Sequence, residues 1–515
     1  MDHHATLRRL ADLILVAAEH DVAAAQRVAA HAVAITMQRG GATVHLGEYA
    51  GHASAEVLGR DGRRMVIVPL FDWAPGDDVP GRWEYAVRDA DGTLMARPDG
   101  DDAHGCADIW HVADHGLDLG SGTDEQHHMQ HLMGDLLGWC LVLGENDPPG
   151  RVTPGQRATE YALDPYPGQR PYGSFVIDRD ARCWQVRVDE SRASGWAVEA
   201  AGGAVCLDAW LRDQGAIPLS ARVPLLGYGS NASPGKVVAN GTPLPSVHLA
   251  CTMEDLASVW CVGDTRAART PVTLDVVPGH VEQALVMMCD LDEMARLDQV
   301  EGRNSQWYDL VLLESGRVVL ENGAHLPRPA VYVGGRAERC PMRLAGRPVL
   351  RVDLDHDQVR ALRTHVTPTS VEPASLGPVV PVGVYPHPGD CVPHLFVYGT
   401  LKPGHERWPL LADYVVAEPV DATVAGDLRD TGYGWPALNA GTGCASGVLL
   451  RAEIAAMRQL LATLDEVEGL TAGLFCRQAR AVGGQVAWVY VAGSCAGVGA
   501  RLDSWPLGRP KVSSS

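Results

Sequence analysis

The stretch FVYGTLKPG, Phe396–Gly404, runs from an apolar strand into a Tyr-Gly pair, a hydroxyl and a Pro/Gly turn. The acidic motif LDEVEG, Leu464–Gly469, follows it. The same order occurs earlier, where LLGYGSN at Leu225–Asn231 precedes LDQVEG at Leu297–Gly302. The tyrosine stands 73 residues before the last glutamate in the earlier pair and 70 residues before it in the later one. So similar a spacing predicts an internal repeat.

The composition is that of an ordinary globular protein with a surplus of acidic residues. The 515 residues include 46% apolar and 21% charged residues, and the formal net charge is −20. The length predicts several domains, and the negative charge argues against nonspecific nucleic-acid binding. The twelve cysteines form no C-x-x-C pair. This favours free thiols in a reducing compartment over a disulfide framework or a zinc site.

The hydropathy pattern predicts neither export nor membrane insertion. Charged residues interrupt the apolar ones in the N-terminal stretch MDHHATLRRLADLILVAAEHD, so it lacks the pattern of a signal peptide. No uncharged apolar run approaches the roughly 18 residues that a spanning helix needs. We therefore expect a cytoplasmic protein that binds neither membranes nor nucleic acids. Its oligomeric state stays open.

Residues 1–150 are predicted to form a separate α/β domain. The spacing of apolar residues indicates two helices, and a strand is predicted over Ala42–Leu46. The Gly-rich loop Gly47–Ser54 then precedes another helix and the strand Met65–Leu70, an order typical of a parallel sheet. This beginning resembles a sugar isomerase (SIS) domain, which implies a sugar phosphate at the loop. On the residues alone, a plain turn between strand and helix is the alternative.

The same domain contains two groups of histidines, His111 and His115, and His127, His128 and His131. The second group lies on a predicted helix. A metal site needs three or four converging ligands with oriented partners, and the sequence shows only the histidines. A solvated polar face is therefore favoured, and no metal is predicted.

The rest of the chain divides at Pro- and Gly-rich stretches, the first being Asn146–Gly150. Strands are predicted at Phe175–Ile177 and Cys183–Val188, with a short helix at Val205–Asp213. The predicted segments are accessory strands with a helix, a first repeat with an extension, a semi-rigid linker, a second repeat and a tail. Their bounds are 151–222, 223–370, 371–393, 394–494 and 495–515.

The ordered motifs around each Tyr-Gly pair resemble those of the γ-glutamylcyclotransferase-like family, which includes AIG2-like proteins and γ-glutamylamine cyclotransferases. In the second repeat these motifs are VYGTLKPG, GWPAL, ASGVLL, LDEVEG and AWVYV. In the first repeat they are GYGSN, TLDVVPGHVEQALV, LDQVEG and AVYV. The resemblance covers about half of the chain. It implies that two small α+β domains, each a mixed β-barrel with helices, follow the α/β domain.

The Tyr-Gly loop of each repeat is a candidate substrate-binding element. A Gly after a strand lets successive N–H groups turn into a cavity and form an anion nest, and the neighbouring hydroxyl adds a donor. With the resemblance, this suits the α-carboxylate of a glutamyl group; an ordinary turn with a buried tyrosine is the alternative. The candidate residues are Tyr228, Gly229, Ser230 and Asn231 in the first repeat and Tyr398, Gly399, Thr400 and Leu401 in the second.

The last glutamate of each acidic motif is the candidate catalytic residue. Met294–Val300 and Met457–Val467 are predicted to end helices that a Gly caps. A carboxylate held in a partly apolar pocket has a raised pKa and can exchange protons near neutral pH. The resemblance implies that Glu301 and Glu468 act as general acid and base, with no metal or organic cofactor. The alternative is a solvated glutamate at each helix end.

The resemblance implies an amide-cleaving transferase or lyase that acts on a small γ-glutamyl amine or γ-glutamyl amino acid. The freed α-amine attacks its own γ-carbonyl and releases 5-oxoproline and an amine, so holding the glutamyl chain curled supplies much of the rate.

Both repeats depart from the family pattern. The first has Glu282-Gln283-Ala284 where the family usually has a Gly before its central strand, and the second has Phe475, where the first has Tyr308, in place of a tyrosine common in the family. Either one repeat is degenerate or both act, on the same or on different substrates. A fold that binds a γ-glutamyl or sugar-phosphate ligand without turnover is the alternative function. Catalysis requires Glu301 or Glu468 to face a pocket beside its own Tyr-Gly loop.

Overall fold

In the computed structural model the chain divides into two compact units, Met1–Arg151 and Val152–Ser515. In the first unit the structure describes four strands between residues 43 and 89. In the second it describes residues 152–505 except 165, 172, 201, 266–268, 345–346, 352–355, 357–358, 360–366, 369–372, 494–498 and 503. The two predicted N-terminal helices and all five histidines named above lie outside the described residues.

The first unit contains β1 (Thr43–Tyr49), β2 (His52–Leu58), β3 (Arg64–Phe71) and β4 (Trp83–Asp89). They pair in chain order, and every pairing is antiparallel. The predicted parallel sheet is therefore wrong for these strands. The physical reason is that only two residues connect Tyr49 to His52, since parallel strands need a crossover of a dozen or more residues. The described residues of the predicted loop Gly47–Ser54 belong to the paired strands β1 and β2.

Four α-helices of the second unit are described: α1 (Leu207–Asp213), α2 (Pro234–Ala239), α3 (Leu291–Glu301) and α4 (Met457–Val467). Its strands before residue 370 are β5 (Phe175–Ile177), β6 (Cys183–Val188), β7 (Trp196–Ala200), β8 (Gly203–Cys206), β9 (Val223–Gly227), β10 (Ser246–Trp260), β11 (Val272–Cys289), β12 (Tyr308–Leu312), β13 (Arg317–Leu320), β14 (Ala330–Gly334), β15 (Met342–Leu344), β16 (Arg347–Pro348) and β17 (Thr367–Pro368). The later ones are β18 (His394–Val397), β19 (Val420–Asp430), β20 (Pro436–Arg451), β21 (Phe475–Val482), β22 (Gln485–Ala492) and β23 (Arg501–Leu502).

Two large sheets organise the second unit, one in its first half (residues 152–393) and one in its second half (residues 394–505). The first sheet has the order β12-β14-β9-β11-β10-β5-β6-β7-β8, with β13 also paired to β10. The predicted strands β5 and β6 are confirmed, and β5 pairs with β10 in an antiparallel ladder. The segment before residue 222 thus extends the sheet of the first half.

The second sheet has the order β21-β22-β18-β20-β19-β23. Its first five strands correspond one by one to β12-β14-β9-β11-β10 of the first sheet. In both sheets the strand that precedes the Tyr-Gly loop has an antiparallel neighbour on one side and a parallel neighbour on the other. Because β9 and β14 are parallel neighbours, their carboxyl ends lie side by side, and the same holds for β18 and β22.

The predicted linker packs against the first half. Leu376, Cys391 and Val392 are buried, and the N–H of Val380 donates to the carbonyl of Leu310 in β12. Arg303 donates to the carbonyls of Val380, Pro381 and Val384. These contacts turn a Pro- and Gly-rich segment into part of the folded unit.

Arg480 of β21 joins the two halves. Its side chain is 2% exposed and donates to the carbonyls of Ala193 and Glu190, to the Glu190 carboxylate and to the carbonyl of Ala425. A buried guanidinium needs such partners, because burying an unpaired charge costs several kcal/mol. The described region between the halves is therefore tied together by a charged and fully buried group.

We predict that Arg480→Met lowers the free energy of unfolding by about 2–4 kcal/mol, because it leaves buried acceptors without a charged donor. Urea denaturation of the full chain, followed by tryptophan fluorescence, measures the change. The matched control is Arg187→Met, whose side chain is 46% exposed and pairs loosely with Glu199 at 3.6 Å. Its expected effect is below about 1 kcal/mol. Equal losses for both variants would show that Arg480 does not join the halves in this way.

Candidate active sites

The two acidic motifs end their helices in the same way. Glu301 is the last residue of α3, and Glu468 directly follows α4. Gly302 and Gly469 come next, and each has a left-handed backbone with φ of 65°, which glycine adopts without steric cost. A Cβ at Gly302 would meet the Trp307 side chain at 2.8 Å, and one at Gly469 would meet Leu474 at the same distance. The chain therefore turns sharply just after each acid.

A relay of buried hydrogen bonds connects the first Tyr-Gly loop to this helix. The Tyr228 hydroxyl donates to the carbonyl of Tyr332 at 2.6 Å. The Tyr332 hydroxyl donates to Asp298 at 2.6 Å, and Arg303 donates to the same carboxylate at 2.9 Å. These bonds hold the Tyr-Gly loop, the strand β14 and the helix α3 in a fixed arrangement.

The second half contains the same relay. The Tyr398 hydroxyl donates to the carbonyl of Tyr490 at 2.6 Å. The Tyr490 hydroxyl donates to Asp465 at 2.8 Å, and Arg477 donates to that carboxylate at 2.6 Å. In both halves the tyrosine of the Tyr-Gly pair uses its hydroxyl to bind the closing strand, so it offers a ligand mainly its ring.

The first pocket brings together all the residues that the sequence named for the first repeat. It is a cavity of about 350 Å³. Glu301 lies in its wall and accepts a hydrogen bond from Asn231 Nδ2 at 2.7 Å. The other lining residues include Tyr166, Tyr228, Gly229, Ser230, Lys236, Thr265, Arg269, Trp307, Tyr308 and Arg339.

The second pocket is smaller, about 100 Å³, and more aromatic. Glu468 is 9% exposed and lies 3.7 Å from Arg407 Nη1. Leu401, which has the place of Asn231 in the Tyr-Gly motif, also lines this pocket. The remaining lining residues include Tyr398, Gly399, Thr400, Trp435, Pro436, Phe475 and Tyr490. The structure therefore places every residue that the sequence named for the second repeat at this pocket.

Burial raises the pKa of both glutamates. For Glu301 the loss of hydration is the largest influence on its pKa, and the Asn231 hydrogen bond and the nearby Arg339 oppose it. For Glu468 burial again dominates the pKa, and Arg407 opposes it. A carboxyl group with a raised pKa binds and releases a proton closer to neutral pH than a solvated glutamate does.

The glycine of each Tyr-Gly pair allows a close approach to the pocket wall. A Cβ at Gly229 would meet the Tyr166 hydroxyl at 3.2 Å, and one at Gly399 would meet Pro436 at 2.9 Å. Among the described residues, none accepts a hydrogen bond from the N–H of Gly229, Ser230, Gly399 or Thr400. Unused N–H groups at a strand end can bind an anion such as a carboxylate.

The sequence missed residues that reach the first pocket from the segment before residue 222. Tyr166 lines the cavity, and its ring packs against Trp260 at 5.8 Å between centroids. Arg170 donates to the carbonyl of Tyr228 at 2.7 Å and so fixes the loop. No local motif marks these two residues. A cation within ten residues after each Tyr-Gly pair, Lys236 in one half and Arg407 in the other, was visible in the sequence.

The described residues contain no group of three or more metal-ligating side chains placed to hold an ion. None of the described helices is long and apolar enough to cross a membrane. No disulfide forms among the described cysteines.

A family model assigns the second half. Residues 395–506 match the family described as γ-glutamyl cyclotransferase, AIG2-like. This segment contains the Tyr398 loop, Glu468 and the second pocket. No curated protein matches the chain.

Several solved structures are similar over part of the chain. An AIG2-like protein from Mus musculus is 22% identical, covering 22% of this chain and 87% of its own, with a TM-score of 0.19. A protein named gamma-glutamyl cyclotransferase is 16% identical, covering 22% of this chain and 66% of its own, with a TM-score of 0.19. YkqA from Bacillus subtilis is 15% identical, covering 54% of this chain and 86% of its own, with a TM-score of 0.18. The assignment of residues 395–506 rests on the family model.

We predict that Glu301→Gln and Glu468→Gln each stabilise the protein at pH 8. Because burial raises the pKa of both carboxyls in the folded state, ionisation costs stability as the pH rises above the unfolded value of about 4.3. The gain should therefore shrink as the pH falls towards 4. Thermal unfolding between pH 4 and pH 8 measures it. The control Glu418→Gln, an exposed glutamate, should show no such pH-dependent gain; the same trend in all three variants would contradict the prediction.

Proposed function

We propose that the second unit carries two γ-glutamyl cyclotransferase sites, one at each pocket, and that the two halves are tandem copies of one domain. The five-strand order shared by the two sheets supports a duplication. The repeated relay from tyrosine hydroxyl to carbonyl to aspartate supports it further. The family match covers the second copy alone.

One observation carries the catalytic proposal. Each of Glu301 and Glu468 lines a pocket together with its own Tyr-Gly loop, and burial raises the pKa of each carboxyl. A glutamate kept only for solubility would instead be solvated at the helix end. A protein that merely binds its ligand has no need to desolvate an acid in this place.

The proposed reaction uses the acid twice. The ionised glutamate takes a proton from the α-ammonium of the substrate, and the freed amine attacks the γ-carbonyl carbon. The bond from that carbon to the departing nitrogen then breaks, and the glutamate returns the proton to the leaving amine. The attacking nitrogen gives up its second proton by the same route, so the products are the 5-oxoproline carboxylate and the ammonium form of the released amine, and atoms and charge balance without any further reactant.

Positioning supplies the other part of the rate. In this proposal the unused N–H groups of Gly229 and Ser230, and those of Gly399 and Thr400, hold the α-carboxylate of the glutamyl group. Fixing this end while the γ-carbonyl curls back towards the amine turns the ring closure into a favourable intramolecular step. We place the enzyme in the cytoplasm, and its substrate is a small γ-glutamyl compound.

We predict that the wild-type protein releases 5-oxoproline from a panel of γ-glutamyl amines and γ-glutamyl dipeptides. Glu301→Gln and Glu468→Gln should each lower kcat at their own site by about 100-fold or more. The double variant should release no measurable 5-oxoproline. The product is measured by chromatography, with Glu418→Gln as an active control. If folded wild-type protein releases no 5-oxoproline from any substrate, the protein only binds such ligands and the catalytic proposal fails.

A reciprocal exchange tests the role of the carboxyl group. In the Glu468→Gln background, Asn231→Leu removes the donor to Glu301, so the pKa of Glu301 should rise and the acidic limb of the kcat/KM profile should move to higher pH. In the Glu301→Gln background, Leu401→Asn is meant to supply Glu468 with such a donor. The pKa of Glu468 should then fall, and the acidic limb of the kcat/KM profile should move to lower pH. Shifts in the same direction, or none, would show that these carboxyls do not titrate in the reaction.

A further inference from the structure

Lys236 is a buried cation that faces the first pocket. It belongs to the short helix α2, is 7% exposed and lines the cavity. Within the described residues its ammonium makes no hydrogen bond and no salt bridge. Burial and the neighbouring Arg269 lower its pKa. The ammonium thus stands at the cavity wall without a partner of its own, and a ligand in the cavity can supply the missing negative charge.

The charges around Lys236 indicate what kind of anion fits. Arg269 is already paired with Asp164 at 2.9 Å. Arg339 lies near Glu301 and lowers its pKa. Lys236 and Arg269 thus share one carboxylate, Asp164, which pairs with Arg269 and raises the pKa of Lys236. One positive charge is left over, which matches a monoanion such as a carboxylate.

This anion is not the one that the Tyr-Gly loop would hold. The loop offers the unused N–H groups of Gly229 and Ser230, whereas Lys236 lies on the helix that follows the loop. The cavity of about 350 Å³ has room for a ligand with a second charged end.

The second pocket lacks this feature in its described lining. Its cation there, Arg407, is already 3.7 Å from Glu468. Trp435 and Phe475 form an aromatic pair at 5.5 Å between ring centroids. The volume is about 100 Å³. A leaving group that carries a carboxylate would find no free cation among these residues.

We propose that the first pocket acts on γ-glutamyl compounds whose leaving amine carries a carboxylate, and that Lys236 binds this carboxylate. The inference rests on the proposed cyclotransferase function. It makes Lys236 a specificity-determining residue, and it divides the substrates between the two sites. Substrates whose leaving amine carries a carboxylate react in the first pocket, and substrates whose leaving amine is uncharged react in the second.

The test compares two substrates that differ by the carboxylate alone, γ-glutamyl-alanine and γ-glutamyl-ethylamine. In the Glu468→Gln background only the first site can turn over. Lys236→Met should raise KM for γ-glutamyl-alanine about 10- to 100-fold, the range expected for a charged hydrogen bond. KM for γ-glutamyl-ethylamine should stay within about twofold, and Lys236→Arg should restore part of the loss.

Lys402→Met is the matched control, because the Lys402 ammonium donates to the carbonyl of Trp505 and lies outside the first pocket. It should leave both KM values unchanged. Unlike Arg480, the Lys236 ammonium has no hydrogen bond to lose among the described residues, so Lys236→Met should fold, and thermal unfolding of each variant checks this. Equal effects of Lys236→Met on both substrates would overturn the inference.

A binding measurement separates this inference from the proposed function. Calorimetry on the Glu301→Gln/Glu468→Gln protein gives Kd for both compounds without turnover. Tighter binding of γ-glutamyl-alanine that Lys236→Met abolishes supports the carboxylate subsite, even if the wild-type enzyme releases no 5-oxoproline. Turnover of both compounds together with no preference in Kd would leave the cyclotransferase function standing and overturn the role of Lys236.

Discussion

Two consecutive hydrogen bonds connect the Tyr-Gly loop to the helix that carries the acid, and both sites depend on them. In the first half Tyr228 donates to the carbonyl of Tyr332, whose own hydroxyl donates to Asp298. All three residues are buried, so none can exchange these bonds for water without leaving polar groups unsatisfied. The aspartate of each acidic motif therefore fixes the helix, and the glutamate three residues later is left to face the pocket.

That arrangement keeps a carboxyl group where ionisation is unfavourable. Burial raises the pKa of Glu301 and Glu468, and the surrounding structure must offset the cost. In the first half Arg303, itself fully buried, links Asp298 to the segment that leads towards the second half. The Pro- and Gly-rich connection thus supports the first site while it joins the two sheets.

Much of the local structure followed from sequence pattern. The strands Phe175–Ile177 and Cys183–Val188 have their predicted bounds, and the helix that contains Met457–Val467 ends at Val467 as predicted. Apolar periodicity and glycine caps act over a few residues. The parallel sheet of the first unit was wrong because one connection of only two residues, between Tyr49 and His52, outweighs a general strand-and-helix pattern. Tyr166 was missed because it reaches the pocket from far along the chain.

The sequence by itself determined which residue types recur at matching distances, and with them the candidate acids and loops. Those features are encoded locally, as a glycine that allows a turn and an aspartate and a glutamate three residues apart on a helix. Only the tertiary structure decided that each acid shares a pocket with its own loop, and that one pocket is large and cationic while the other is small and aromatic. Pocket volume and charge depend on side chains that distant strands bring together, and such contacts leave no period or spacing in the sequence.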